Sequence, residues 1–112
     1  MSALSGHKAW VVQRLTALYI AAYILIALGC LLVNGGPDNA AQWRGLFSSA
    51  AMNLLTLGFF LALLQHAWIG IRDVILDYVR PVWVRFAVLI LFGAGLLLCA
   101  VWVGRVLFNA MA

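Results

Sequence analysis

The stretch LTALYIAAYILIALGCLLV, residues 15–33, decides what kind of fold this chain can adopt. It is 19 residues long, carries no charge, and lies between Arg14 and the turn-forming sequence NGGPDN. As an α-helix rising ~1.5 Å per residue, it is long enough to cross the ~30 Å hydrocarbon core of a bilayer. A helix also satisfies its own backbone hydrogen bonds, which lipid cannot do. The stretch therefore predicts a transmembrane helix.

Two further apolar segments follow the same pattern, one between Arg44 and Arg72 and one between Arg85 and Arg105. Together the segments predict three membrane spans, at about residues 15–33, 46–71 and 84–106. The 112 residues leave no room for a separate soluble domain. We therefore expect residues 1–112 to form one all-α transmembrane domain.

The composition excludes the common classes of soluble protein. Hydrophobic residues make up 67% of the chain and charged residues 9%, whereas about a quarter of the residues of a soluble domain are charged. The net charge of +4 comes from basic residues that are dispersed among the apolar segments, so it does not indicate nucleic-acid binding. Cys30 and Cys99 lie in apolar runs without metal-ligand spacing, and we expect both to be buried small hydrophobic residues.

The basic residues predict the direction in which the chain crosses the membrane. Five fall on one side of the predicted spans, namely Lys8, Arg14, Arg72, Arg80 and Arg85. Two fall on the other side, Arg44 and Arg105. Because cytoplasmic loops carry an excess of Lys and Arg, we expect the N-terminus and the loop after the second span to be cytoplasmic. Several aromatic residues near the span ends are typical of the membrane interface: Trp10, Trp43, Trp68, Tyr78 and Trp83.

Polar side chains gather at the predicted cytoplasmic end of the second span, in HAWIGIRDVILDYVRP, residues 66–81. An ionisable residue inside a span, here His66, indicates a functional site. Gly58, Ala62, His66 and Gly70 recur every four residues and so share one helical face. Two interpretations stay open. The face packs against another helix to which His66 is hydrogen-bonded, or it lines a haem pocket in which the imidazole binds iron.

The helix is expected to continue beyond the membrane because no proline follows until Pro81. If the helix stays straight, this extension would bring both Asp73 and Asp77 onto the face of His66. The carboxylate of Asp73 is either solvated or paired with Arg72 or Arg80.

Arg14 and Tyr78 also allow two interpretations each. Arg14 is either a cytoplasmic anchor whose side chain snorkels to the interface or a partner for a carboxylate such as a haem propionate. Tyr78 is either an interfacial aromatic or a hydrogen-bond donor to the carbonyl of a ligand at the membrane edge.

The stretch at 66–81 closely resembles the second-helix and loop signature of the hydrophobic membrane anchors of succinate dehydrogenase, specifically the smaller of the two anchors in each complex. Members of this cytochrome b family read His-Ala-Trp-Ile-Gly-x-x-x-Val-x-x-Asp-Tyr-Val-(Lys/Arg)-Pro. The segment VVQRLTAL, residues 11–18, resembles the entry to the family's first helix. The chain length, the three spans and the predicted orientation agree with the family.

The resemblance implies a three-helix anchor that packs with a second three-helix cytochrome b anchor in the bacterial inner membrane. Together the anchors would hold a flavoprotein subunit and an iron–sulfur subunit on the membrane, so that electrons from succinate reach a quinone. The anchor would take part in this succinate:quinone oxidoreductase as a non-catalytic component of the tricarboxylic acid cycle and the respiratory chain.

The resemblance also implies roles for five residues. His66 matches an axial ligand of haem b, and the second anchor would supply the other ligand. Arg14 and His7 match residues near the haem propionates. Tyr78 matches the tyrosine that donates a hydrogen bond to the quinone, and Asp77 matches the acid before it.

Alternatives to this assignment are a cofactor-free assembly protein in which His66 only links helices, and the anchor of a fumarate reductase. A proton-coupled transporter is disfavoured because all three acidic residues lie outside the uncharged segments. On a straight helix Tyr78 lies ~18 Å along the axis from His66. Either the haem reaches toward the surface, or the chain bends back before Tyr78.

Overall fold

Three long helices and one short helix make up residues 3–111, which the computed structural model describes, with side chains from residue 6 onward. They are α1 (Ala3–Asn34), α2 (Ala40–Leu46), α3 (Ala50–Tyr78) and α4 (Val82–Met111). Three of them are long and apolar enough to cross a membrane, over Gly6–Asn34, Ala50–Tyr78 and Val82–Met111. The prediction of an all-helical protein with three candidate spans is confirmed.

The turn sequence after the first span ends α1 and begins α2. Gly35 adopts a φ of +78°, and its N–H donates to the carbonyl of Leu31 at 2.9 Å, a common way to close a helix. Asn39 then caps α2, because its side-chain oxygen accepts from the N–H of Gln42 at 2.9 Å. The sequence pattern predicted the turn and did not predict the short helix that follows it.

The ends of α3 are fixed by polar groups rather than by the limits of the apolar run. Ser49 caps its N-terminus by accepting from the N–H of Met52, so α3 begins four residues later than the start expected at residue 46. At the other end, the guanidinium of Arg85 donates to the carbonyls of Val79 at 3.1 Å and Leu76 at 3.3 Å. A cation near the C-terminus of a helix also interacts favourably with the helix dipole.

Helix α3 continues without a break to Tyr78. Of the two geometries considered for His66 and Tyr78, the one in which the chain bends back before Tyr78 is therefore wrong. The ~18 Å separation along the helix axis stands.

The interior of the bundle is small and partly polar. Helix α3 packs against both α1 and α4, which contact each other less. Among residues 6–111, the buried side chains are Ile69, Ile75 and Leu107, together with the polar Asn53 and Thr56. Most large apolar side chains lie outside, which suits contact with lipid or with other helices rather than with water.

Both cysteines are free, but neither is buried. Cys30 and Cys99 are exposed on the surface of the bundle, so the expectation of buried small hydrophobic residues was wrong. The reason is that the helices bury only a narrow seam, and a residue in an apolar run can equally face lipid.

Hydroxyl groups on one face of α1 hold it against α3. The Tyr19 hydroxyl donates to the carbonyl of Leu55 at 2.7 Å, and the Tyr23 hydroxyl lies 2.7 Å from Oγ1 of Thr56. A Cβ added at Gly58 would lie 2.7 Å from the Tyr19 hydroxyl oxygen. Gly58 therefore makes room for Tyr19, rather than for a cofactor next to His66.

Candidate functional site

A cavity of about 630 Å³ opens between the N-terminal half of α1 and the C-terminal half of α3. From α1 it is lined by Gly6, Ala9, Trp10, Gln13, Arg14 and Ala17, and from α3 by His66, Ile69, Arg72, Asp73 and Leu76. Each set recurs every three to four residues, so each helix contributes one face. The cavity follows α3 for ~15 Å, from His66 toward the end of the helix.

His66 is half-buried in the wall of this cavity and is hydrogen-bonded to the neighbouring helix. Its Nδ1 lies 3.1 Å from Oγ1 of Thr16 on α1. The interpretation of His66 as a link between helices is therefore correct for one ring nitrogen. Among the described residues, no hydrogen bond involves Nε2, so the link leaves the second nitrogen available to a ligand.

Arg14 lies in the same cavity and rests against an aromatic ring. Its guanidinium carbon is 5.3 Å from the centroid of the Trp10 ring, within the range of a cation–π interaction. The His7 ring stacks on Trp10 with centroids 6.2 Å apart and planes 14° from parallel. His7 itself does not line the cavity. Trp10 therefore connects the two residues that the family resemblance assigns to the propionates.

A second guanidinium, that of Arg72, lines the cavity from α3. Its terminal nitrogen lies 3.3 Å from the carboxylate of Asp73. The partner of Asp73 is therefore Arg72 rather than Arg80. The Nε of Arg72 and Oε1 of Gln13 are buried without a hydrogen-bond partner among the described residues. Buried polar atoms of folded proteins are nearly always satisfied, so these two indicate a ligand, water or partner at this site.

The polar groups of the cavity suit a haem. A neutral imidazole binds haem iron, and guanidinium groups such as those of Arg14 and Arg72 bind carboxylates through paired hydrogen bonds. The rest of the wall is mostly apolar, as the macrocycle requires. The unpartnered Nε of Arg72 is an N–H donor, and a propionate would satisfy it.

Tyr78 does not reach this cavity. It lies ~120° around the helix from His66 at 3.6 residues per turn, and 79% of its surface is exposed. Asp77 points within ~20° of the direction of His66, but it lies beyond Leu76, where the lining ends, and is exposed. The structure thus brings Arg14 to His66 and leaves the two candidate quinone residues outside.

Thr16 and Gln13 are site residues that the sequence did not predict. The sequence signal for this wall of the cavity was a spacing of three to four residues, which places Gln13, Arg14 and Ala17 on one helical face. The contact of Thr16 with His66 joins residues 50 positions apart, which a single sequence does not reveal.

The antiparallel order of the helices gathers most of the positive charge at the cavity's end of the molecule. The cavity joins the start of α1 to the end of α3, and α4 begins directly after α3. At the opposite end, Asn53 of α3 donates to the carbonyl of Leu107 of α4 at 2.7 Å. The five basic residues expected on one side therefore share one end of the bundle.

Three membrane-length apolar helices, with an imidazole and two guanidinium groups in one cavity, define an integral membrane protein with a partly polar cavity near one end. The family model described as succinate dehydrogenase/fumarate reductase transmembrane subunit matches residues 1–102. The succinate dehydrogenase hydrophobic membrane anchor subunit of Coxiella burnetii is 39% identical over 82 residues, covering 73% of this chain and 70% of that protein. The chain belongs to this family of transmembrane anchor subunits, which confirms the resemblance found in the sequence.

Proposed function

We propose that this chain is the smaller membrane anchor of a succinate:quinone oxidoreductase, that it supplies one axial ligand to a haem b, and that it contributes to a quinone site. The observation that carries the proposal is the cavity between α1 and α3, in which His66 and Arg14 lie together. A fumarate reductase anchor has the same architecture, and the direction of the reaction depends on redox centres in other subunits.

The distribution of charge and apolar surface supports the proposed assembly. The end that carries five basic residues faces the cytoplasm, where the flavoprotein and iron–sulfur subunits bind. The exposed apolar faces of the helices pack against a second cytochrome b anchor and against lipid in the bacterial inner membrane. The chain itself is non-catalytic: it positions cofactors in the path of electrons from the tricarboxylic acid cycle to the respiratory chain.

Within the cavity, Nε2 of His66 would hold the haem iron, and the second anchor would supply the other ligand. Arg14 and Arg72 would bind the propionates, with Trp10 holding the Arg14 guanidinium in place and His7 supporting Trp10. When bound, the haem supplies one-electron chemistry.

The quinone site is proposed to lie over Tyr78 and Asp77, outside the cavity. Both side chains are exposed in this chain. They become site residues only if another component of the complex covers them, so the quinone would bind between subunits.

The test is a reduced-minus-oxidised optical spectrum of the purified complex, for the wild type and for His66→Ala. We expect a low-spin b-type spectrum that is lost or changed in His66→Ala, because one axial ligand is removed. Gln65→Ala is the matched control, since it changes the neighbouring residue of α3, which is exposed and does not line the cavity, and leaves the proposed ligand in place.

Two outcomes contradict parts of the proposal. An unchanged low-spin spectrum in His66→Ala removes His66 as a ligand. A wild-type complex without b-type haem favours the cofactor-free anchor, in which His66 only holds α1 through Thr16.

A further inference from the structure

We propose that Thr16 is a positioning residue for His66: its hydroxyl oxygen accepts a hydrogen bond from the Nδ1–H of His66 and thereby keeps Nε2 as the nitrogen with the free lone pair. The inference rests on the proposed function, in which Nε2 binds iron. It assigns a role to a residue of the opposite helix that touches no cofactor.

The hydrogen bonds around Thr16 decide which group is the donor. Oγ1 of Thr16 lies 2.7 Å from the carbonyl oxygen of Val12, 3.2 Å from that of Gln13 and 3.1 Å from Nδ1 of His66. A threonine hydroxyl has one hydrogen and two lone pairs, and a carbonyl oxygen only accepts. The shortest contact, to Val12, therefore takes the hydrogen, in the back-bonding arrangement that is common for threonine in helices.

The opposite assignment, in which Thr16 donates to Nδ1 of His66, is higher in energy. If the Thr16 hydroxyl donated to Nδ1, its oxygen would face the Val12 carbonyl oxygen at 2.7 Å with no hydrogen between them. Two acceptors at that distance repel each other, and a hydrogen bond is worth most where water is scarce. With the hydrogen directed to Val12, both contacts are satisfied and Nδ1 must carry a proton. A neutral imidazole protonated at Nδ1 has its lone pair at Nε2.

The hydrogen bond to Thr16 would let the chain control the ring orientation and the basicity of His66 as a ligand of the haem iron. A metal-binding histidine usually donates its other ring N–H to an acceptor, which fixes the ring orientation and raises the basicity of the ligating nitrogen. A more basic ligand stabilises the oxidised iron and lowers the reduction potential. Thr16 acts on the ligand through a bond that spans the two helices forming the cavity.

Redox titration of the haem in the purified complex tests the inference, with Thr16→Val and Thr16→Ser as the main variants. Valine keeps the branched shape and removes the acceptor, so we expect the oxidised-to-reduced equilibrium to shift about tenfold toward the reduced form, a rise of about 59 mV for one electron. Serine retains the hydroxyl and should restore the wild-type potential.

Tyr23→Phe is the matched control. It removes another hydroxyl from the same face of α1, one that bonds Thr56 on α3 and does not line the cavity. We expect the haem potential of this variant to equal that of the wild type. A shift as large as that in Thr16→Val would show that any loosening of α1 moves the potential, and would overturn the role of Thr16.

The results separate the inference from the proposed function. If His66→Ala loses the low-spin spectrum but Thr16→Val keeps the wild-type potential, the inference fails and the proposed function stands. If His66→Ala keeps the spectrum, both fail. If the complex with Thr16→Val does not assemble, Thr16→Ala is compared with Thr16→Ser instead. Equal haem potentials in the alanine and serine variants would overturn the inference.

Discussion

The side chain of Tyr78 projects away from the cavity that holds His66, and almost four-fifths of it is exposed within this chain. Its hydroxyl has no acceptor among the described residues. An aromatic ring at this depth is an ordinary interfacial anchor. A role in quinone binding therefore depends on the hydroxyl, and it can be tested by removing that group alone.

We expect Tyr78→Phe to reduce quinone reductase activity by about tenfold or more, the equivalent of ~1.4 kcal/mol. The lost hydrogen bond is worth ~0.5–1.5 kcal/mol net, and more if it strengthens as negative charge develops on the quinone oxygen. The measurement compares quinone reduction with succinate oxidation by an artificial dye that bypasses the quinone, which should not change.

Trp83→Phe is the control for that experiment, because Trp83, in the first turn of α4, is a similarly exposed aromatic residue. It tests anchoring at the interface without touching the Tyr78 hydroxyl. Equal quinone activity in wild type and Tyr78→Phe would leave Tyr78 as an interfacial anchor only.

The sequence predicted the roles of some residues but not which neighbours they contact. His66 and Arg14 were identifiable because an ionisable group in or beside an apolar run is conspicuous. The stripe containing Gly58 was left with two possible neighbours, a helix or a haem, since spacing shows which residues share a face but not what approaches them. Gly58 accommodates Tyr19, which lies 39 positions earlier in the chain.

Helix α3 is joined to α4 by one buried amide. Asn53 is 4% exposed, and its Nδ2 donates both to the carbonyl of Phe47, just before α3, and to that of Leu107 in α4. An amide nitrogen has two hydrogens, so both bonds form together. This residue fixes the start of α3 and the end of α4 relative to each other.

We expect Asn53→Leu to lower the thermal unfolding midpoint of the purified complex. The interhelical bond to Leu107 is worth ~0.6 kcal/mol on average in membranes, and the local bond to Phe47 ~0.5–1.5 kcal/mol net. Losing both is expected to cost about 1–2 kcal/mol of stability. Asn109→Leu makes the same chemical change at an exposed position of α4 and should leave the midpoint unchanged. A midpoint as high in Asn53→Leu as in Asn109→Leu would show that the amide contributes nothing to stability.

The long helices were predictable and their ends were not. Membrane thickness determines the minimum apolar length, so uncharged runs of 19 residues identified the first and third spans. Capping groups such as Ser49 and the left-handed Gly35 determine where the helices begin and end. The seven-residue α2 is too short for periodicity to indicate it, and it forms because Asn39 caps it.

The molecule as a whole presents apolar side chains outward. Outside their own helical turn, no atom of the described residues lies within 4 Å of a Cβ added at Gly70 or Gly104, so another helix can approach closely there. Lipid tails provide little specific packing, whereas small residues allow close contact between helices.

We therefore expect this chain to remain unassembled when it is expressed without the second anchor. Co-expression should increase the amount recovered from membranes and give a single species on gel filtration. The comparison needs the same vector and detergent for both samples. A monodisperse, haem-loaded monomer from the chain alone would contradict the expectation.

The position of α3 between its two neighbours has a consequence during synthesis. Tyr19 and Tyr23 of α1 bond to Leu55 and Thr56 of α3, which lie 36 and 33 residues later in the chain. At ~5–20 residues per second the ribosome needs roughly 2 to 7 s to supply those residues. Until then the tyrosine hydroxyls have no partner on α3, and a polar group without a partner is unfavourable in lipid. We therefore expect α1 to stay beside the insertion machinery until α3 has been made.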